Sequence, residues 1–129
     1  MTAIGRLKTR AEFLHVRGGE RYTAPSLVLQ ARRRERRVGE EPSPDPHVAR
    51  FGFTATKTLG GAVVRNRARR RLKEAVRLTG GRHAKEGYDY VLIARAGTVQ
   101  RPFPELIKDF ERALAKVHEP KPAKKRLTF

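Results

Sequence analysis

Alternating apolar and polar side chains mark two segments of the chain, residues 22–32 and 48–57. Strict alternation puts every second side chain on the same face and is typical of a strand with one face on a core. A third strand is predicted over 88–95, which is rich in β-branched and aromatic residues. Its apolar run over 91–94 is nearly continuous and indicates a central strand covered on both faces.

Apolar residues that recur at three and four positions predict helices elsewhere in the chain. The first helix is short and ends near Arg17, and Thr9 and Glu12 at its start have the spacing of a capping box. The second helix covers roughly 62–78 and the third roughly 102–117. The second differs from the others because its polar face is almost entirely basic.

The predicted order, α-β-β-β-α-β-α, is that of an α+β two-layer sandwich in which three helices cover a small mixed sheet. We expect one domain over residues 1–118, with a charged, proline-containing exposed loop at 33–47. Residues 119–129 form a basic tail broken by prolines, which we expect to be disordered when free.

Basic residues outnumber acidic ones, 30 Lys and Arg against 13 Asp and Glu, which gives a net charge of +17. Such a charge repels itself in the folded state and is best explained by a polyanionic partner, nucleic acid by default. The chain has no cysteine, which excludes disulfides and thiolate chemistry. It contains no run of 18 apolar residues and no signal peptide, so we expect a cytoplasmic protein without a membrane partner.

The sequence contains no evident catalytic constellation. Its four histidines lie far apart and share no metal-ligand spacing, and its adjacent acidic pair, Glu40-Glu41, lies in a loop without an apolar pocket. We therefore predict no catalytic residue and no metal site in this chain.

The second helix carries five arginines among residues 65–71. At 100° per residue, one arc of this helix holds Asn66, Arg70, Lys73 and Arg77, with Arg67 beside it. A line of cations about 5–6 Å apart is suited to tracking phosphates. The alternative is that Asn66 only caps the helix and that the arginines are solvated.

The stretch that joins the glycine turn to this helix resembles the signature of the bacterial ribonuclease P protein subunit. That signature is an Arg-Asn-Arg triplet, here Arg65-Asn66-Arg67, after a Lys-x-x-Gly-x-Ala-Val turn that begins at Lys57. The resemblance covers roughly residues 5–117. The chain departs from it at Gly61, where relatives commonly have Asn, at Arg17, where many have an aromatic residue, and in the long loop.

The resemblance implies a fold and two RNA-binding surfaces. The fold is that of ribosomal protein S5 domain 2, with a left-handed β-α-β crossover around the basic helix, an exception to the right-handed rule. The surface for the catalytic RNA would comprise Lys57, Arg65, Asn66, Arg67, Arg69, Arg70 and Lys73. The surface for the single-stranded 5′ leader of precursor tRNA, a cleft between the first helix and the sheet, would comprise Phe13, Gln30, Phe53 and Ala55.

The implied function is that of the protein subunit of ribonuclease P, an endoribonuclease that removes the 5′ leader from precursor tRNA. The catalytic groups would be in the RNA partner, together with Mg²⁺ ions held mainly by that RNA. We expect a monomer, one per RNA. The alternative is a non-enzymatic RNA-binding protein such as a ribosomal component. A DNA-binding protein ranks third, because neither a helix-turn-helix pattern nor a dimerisation heptad is present.

Overall fold

A five-stranded mixed sheet lies at the centre of the part of the chain that the computed structural model describes, residues 1–34 and 46–120. Its strands are β1 (Ile4–Arg6), β2 (Glu20–Thr23), β3 (Leu27–Arg33), β4 (Ala49–Thr54) and β5 (Tyr88–Ala94), in the order β1-β4-β5-β3-β2. The pairs β1–β4 and β4–β5 are parallel, and β3 pairs antiparallel with both β2 and β5.

In the described ranges four α-helices of five residues or more accompany the sheet: α1 (Arg10–Arg17), α2 (Ala62–Ala75), α3 (Ala96–Gln100) and α4 (Phe103–Val117); a three-residue helix, Gly81–His83, precedes β5. Helix α2 crosses over between the parallel strands β4 and β5, and a π-helical turn, Val76–Gly80, continues it. The predicted α+β class, with three longer helices on a mixed sheet, is confirmed. The handedness of the crossover stays a prediction.

The capping box at the start of α1 is also confirmed. The Thr9 hydroxyl accepts the amide of Glu12 at 3.2 Å, and the Glu12 carboxylate accepts the amide of Thr9 at 2.8 Å. These bonds satisfy amides that have no partner within the helix, so this short helix begins at a defined residue.

Several elements differ from the prediction. The strand expected over 22–32 is two strands, β2 and β3, because the chain turns around Pro25 and the Ala24 amide donates to the Leu27 carbonyl at 2.8 Å. Strand β1 was not predicted, since three residues are too few to show alternation. Helix α3 was also missed. Most of the loop expected at 33–47 and of the tail expected at 119–129 lies outside the described residues.

Helices α2 and α4 cover one face of the sheet and enclose the main core. Phe51 on β4 stacks on Tyr90 of β5 with ring centroids 4.8 Å apart, and Phe110 of α4 meets Phe51 edge-on at 6.2 Å. Leu72 of α2 and Leu106 of α4 are fully buried beside them. This face is therefore a conventional apolar core.

The opposite face of the sheet packs against α1. Its buried apolar cluster consists of Leu7, Val16 and Val91, with Phe13 and Ile93 partly buried at the margin. Helix α1 has only eight residues, so this cover is small. No helix in the described ranges is long and apolar enough to cross a membrane.

Candidate nucleic-acid interface

The basic helix α2 begins at a glycine turn that only glycine fits well. Gly60 has φ +149°, in the region that side chains with a Cβ rarely adopt. Gly61 is the N-cap and provides no side-chain hydrogen bond. Asn66 is in the second turn, where its side-chain oxygen accepts Arg69 Nη1 at 3.1 Å. The alternative that Asn66 caps the helix is therefore wrong.

One flank of α2 faces strand β4. Arg69 Nη2 donates to the Ala55 carbonyl at 3.5 Å, and Lys73 lies one turn further along the same flank. Arg65 is half-buried, and its Nε is enclosed without a hydrogen-bond partner among the described residues. Arg65 and Arg69 therefore lie on the side of the helix that is toward the sheet, and Lys73 is exposed at the margin of that side.

The other flank of α2 faces α3 and α4. Arg71 donates to the Arg101 carbonyl, and its guanidinium lies 5.8 Å from the centroid of the Phe103 ring. Arg71 is thus a structural contact between α2 and the last helix. Of the remaining arginines, Arg67 and Arg70 are exposed on the outer side of α2.

The residues predicted to bind the RNA subunit are therefore not on one surface. Arg67, Arg70 and Asn66 are exposed on α2, and Lys57 is exposed in the short 3-10 helix, Lys57–Leu59, that precedes it. Arg69 points toward β4, and Arg65 is half-buried. Arg77, on the arc that the sequence predicted, is ion-paired with Glu74.

Phe13 on α1 lies directly on the backbone of β4. A Cβ added at Gly52 would be 2.5 Å from the Phe13 ring, so only glycine allows the ring to approach this closely. Beside it lies a hollow of about 170 Å³, the Phe13 hollow. Its lining residues are Arg6, Leu7, Phe13, Phe51, Gly52, Phe53, Arg69 and Lys73. Aromatic rings next to cations are the usual elements of a single-strand binding surface.

The four residues predicted to bind the leader do not line one cleft. Phe13 and Phe53 both line the Phe13 hollow, although Phe53 is on the α2 face of the sheet and reaches the hollow at its edge. Ala55 is 7% exposed and packs in the main core on that α2 face, because strand alternation puts it with Phe51. Gln30 is also 7% exposed and does not line the hollow. Burial thus removes Ala55 and Gln30 from the accessible surface.

An ion network holds α1 against the sheet. Arg50 on β4 binds Glu12 of α1 at 2.5 Å and Asp89 of β5 through two bonds of 2.7 and 2.8 Å. Arg34 donates to the same Asp89 at 2.6 Å. The Asp89 side chain is only 2% exposed, and a buried charge needs partners. Two guanidinium groups at short range compensate the charge of its carboxylate.

The same network sets the charge state of Glu12. Burial alone would raise the pKa of its carboxyl, but the amides of Lys8 and Thr9 and the guanidinium of Arg50 outweigh burial and lower it. Glu12 thus serves as both helix cap and tether. Sequence reasoning predicted the cap but missed the tether, although the signal was present, since Arg50 shares with Gly52 the β4 face that receives α1.

Acidic and histidine side chains are scattered across the described parts of the chain. No three of them, among residues 1–34 and 46–120, lie close enough together to hold a metal ion. The prominent chemistry of the described surface is therefore cationic and aromatic, which suits binding of a polyanion.

Comparison with known proteins gives consistent results for sequence and fold. The model of the Ribonuclease P family matches residues 1–118. The chain is 44% identical over 122 residues to the ribonuclease P protein component of Ruegeria pomeroyi, which covers 94% of this chain and 92% of that relative. It is 51% identical over 112 residues to that of Gluconacetobacter diazotrophicus, covering 86% and 89%.

Solved structures agree on the fold. The RNase P protein from Thermotoga maritima superposes with a TM-score of 0.66 at 24% identity, covering 86% of this chain and 96% of that one. The RNase P protein of Staphylococcus aureus also gives 0.66, at 22% identity, covering 88% and 94%.

Proposed function

The chain belongs to the ribonuclease P protein family, and from that premise we propose how its two basic surfaces divide the binding of RNA. As a subunit of ribonuclease P it acts in tRNA processing together with an RNA, and the RNA carries out the catalysis. The prediction of the family and of this function from the sequence is confirmed. The ribosomal alternative has no support in these comparisons.

The single observation that carries the proposal is the distribution of cations around α2. Arg69 and Lys73 line the Phe13 hollow, whereas Asn66, Arg67 and Arg70 are exposed and do not line it. Arg67 and Arg70 on the outer side bind the RNA subunit, together with Asn66 and Lys57. Arg69 and Lys73 face the Phe13 hollow and bind the 5′ leader of precursor tRNA.

In the Phe13 hollow the chemistry matches that of an unpaired nucleotide. The rings of Phe13 and Phe53 offer apolar surface on which a base can stack, and each stacked base contributes about 1–3 kcal/mol. The cations at the rim neutralise the leader phosphates, which would otherwise repel those of the RNA subunit. The protein thus increases the affinity of the holoenzyme for its substrate.

Mg²⁺ ions, held mainly by the RNA, would supply the metal-activated water for phosphodiester hydrolysis. The residues of this chain contribute by binding and orienting the leader. We further propose that one monomer binds each RNA and that it works in the cytoplasm, where bacteria make their tRNA precursors.

The test of this function is cleavage of precursor tRNA by the RNA subunit at low Mg²⁺, with and without the chain. We expect strong stimulation of cleavage by the chain, because added cations replace part of the screening that Mg²⁺ provides. An absence of stimulation at every Mg²⁺ concentration would contradict the proposal.

Two variants test the division into surfaces. The double variant Arg67→Ala with Arg70→Ala should weaken binding of the RNA subunit and reduce the salt dependence of binding by about two in log–log slope. Phe13→Ala should mainly weaken leader binding, by roughly 5- to 100-fold. The control, Lys108→Ala with Arg112→Ala, removes two exposed cations from α4 and should change neither. If the two variants affect both ligands equally, the division is wrong.

A further inference from the structure

A second hollow lies beside the Phe13 hollow, on the α2 face of the sheet. It has a volume of about 370 Å³, within the range of about 300–1,000 Å³ that is typical of small-molecule sites. We call it the edge groove. The lining residues that determine its chemistry are Ile4, Arg6, Phe53, Lys73, Val76 and Arg77.

The two hollows meet because β1 is short. The last bond of β1 to β4 runs from the Leu7 amide to the Phe51 carbonyl at 3.0 Å. Beyond it, among the strands that the structure describes, Phe53 and Thr54 pair only with β5, so this edge of β4 is uncovered. Arg6, Phe53 and Lys73 line both hollows at this uncovered edge.

The edge groove has an apolar floor and a cationic rim. Ile4, Phe53 and Val76 provide apolar surface, while Arg6 and Lys73 are exposed cations. Arg77 is paired with Glu74, but this pair is exposed and lies within one helix, so a phosphate can replace it at little cost. An aromatic floor with cations at the rim is the combination that single-stranded nucleic acids favour.

We propose that the edge groove binds a further unpaired nucleotide of the same leader strand, which passes around the end of β1 from the Phe13 hollow to the α2 face. The proposal rests on the assignment of the Phe13 hollow to the leader. The two hollows are continuous through Arg6, Phe53 and Lys73, which argues that the leader is the occupant of the edge groove. The exposed Arg67 and Arg70, proposed to contact the RNA subunit, line neither hollow and lie about two turns or more N-terminal to Arg77.

The experiment measures binding of precursor tRNAs with short and long leaders to the assembled holoenzyme. Ile4→Glu places an anion in the edge groove, at a side chain that is 41% exposed and does not line the Phe13 hollow. We expect this variant to bind long-leader substrate about tenfold more weakly, the loss of one stacked base. Binding of the short-leader substrate should be unchanged.

Arg77→Glu provides a second variant that lines only the edge groove and leaves the strand β1 intact. It should show the same dependence on leader length. The matched control is Arg112→Glu, which makes the same charge change on the exposed side of α4 and should alter neither affinity. Thermal unfolding of each variant establishes that it is folded at the assay temperature.

Three results would overturn the proposal: no loss with either groove variant, equal loss for both leader lengths, or a loss of affinity for the RNA subunit instead. The last would mean that the groove contacts the RNA subunit. Phe13→Ala separates this proposal from the proposed function. If Phe13→Ala weakens short-leader binding and the groove variants have no effect, only the assignment of the edge groove to the leader is wrong. If Phe13→Ala has no effect, the assignment of the Phe13 hollow is wrong, and the leader-length dependence of Ile4→Glu still decides on the groove.

Discussion

The two faces of the sheet are covered by different means. On the face of α2 and α4, the described residues include twenty buried apolar side chains in one cluster, whereas the cluster under α1 has three. The α1 face compensates with directional polar contacts, namely a complete capping box and the ion network of Arg50, Glu12 and Asp89. Apolar burial closes one face, and polar tethers hold a helix on the other without filling the space beside it.

This difference matters for binding RNA. A larger apolar cluster under α1 would fill the Phe13 hollow, and the Phe13 ring would lose its accessible surface. Holding α1 by its N-terminal end, through Glu12, leaves the remaining surface of Phe13 available to a ligand. The following predictions test this contrast, from the largest expected effect on stability to the smallest.

The largest effect is expected in the main core. Phe110→Ala removes a fully buried ring and should lower the free energy of unfolding by about 3–5 kcal/mol, measured by chemical denaturation. Phe13→Ala should lower the free energy of unfolding by clearly less, since the half-buried Phe13 ring already has solvent on one side. Equal losses at the two positions would show that the faces do not differ in this way.

Removing the tether should have an intermediate effect. Arg50→Met leaves Glu12 without its guanidinium and Asp89 with Arg34 alone, so we expect a loss of about 1–3 kcal/mol. Leader affinity should also fall, because α1 is no longer fixed on β4. Arg77→Met is the matched control, since its pair with Glu74 is exposed and within one helix, and its unfolding free energy should be unchanged. An unchanged leader affinity in Arg50→Met would refute a positioning role.

The pH dependence of stability should distinguish the faces. His118, beside Tyr90 at the end of α4, has its pKa lowered to about 4 by burial and by Lys85. The unfolded chain therefore takes up that proton first, and stability is lost as the pH falls from 6.5 toward 4. Glu12 has a lowered pKa, so its contribution is present above pH 4.5 and is lost only below it.

Unfolding of His118→Asn and Glu12→Gln by denaturant across this range checks the assignment. The first variant should lack the decline between pH 6.5 and 4, and the second should lack part of the decline at lower pH. A decline above pH 4.5 that disappears in Glu12→Gln rather than in His118→Asn would reverse the assignment.

The smallest effects are expected at the helix caps. Thr9→Ala removes the capping hydroxyl of α1 and should cost about 1 kcal/mol. Gly61→Asn should stabilise α2 by only a few tenths of a kcal/mol, because a Cβ there meets no atom within 4 Å and glycine is already a fair N-cap. Thermal unfolding measures the stability change in both variants. Destabilisation by Gly61→Asn would contradict the conclusion that position 61 has room for a side chain.

Prediction from the sequence succeeded where the signal is local. Alternation located β4, the content of β-branched and aromatic residues located β5, and the spacing of Thr9 and Glu12 fixed the start of α1. The basic helix and its family signature were evident without a structure.

Prediction failed where the position of a side chain depends on distant parts of the chain. Ala55 was placed in the leader cleft, but α2 and α4 cover the face on which it lies, so it packs in the main core. The residues Ile4–Arg6 form a strand only because β4 offers a free edge, which their own sequence does not reveal. Asp89 pairs with Arg34 and Arg50, which are on two other segments of the chain. These pairs could not be predicted from the local sequence either.

The pairing of β1 with β4 also bears on the order in which the protein folds. Ile4 pairs with Ala49, so this contact must close a loop that contains α1, β2, β3 and the segment after it. Closing a loop of this length costs conformational entropy, and only three residue pairs between β1 and β4 offset that cost. We therefore expect β1 to dock after the folding nucleus has formed, so that the floor of the hollows is completed in one of the last steps of folding.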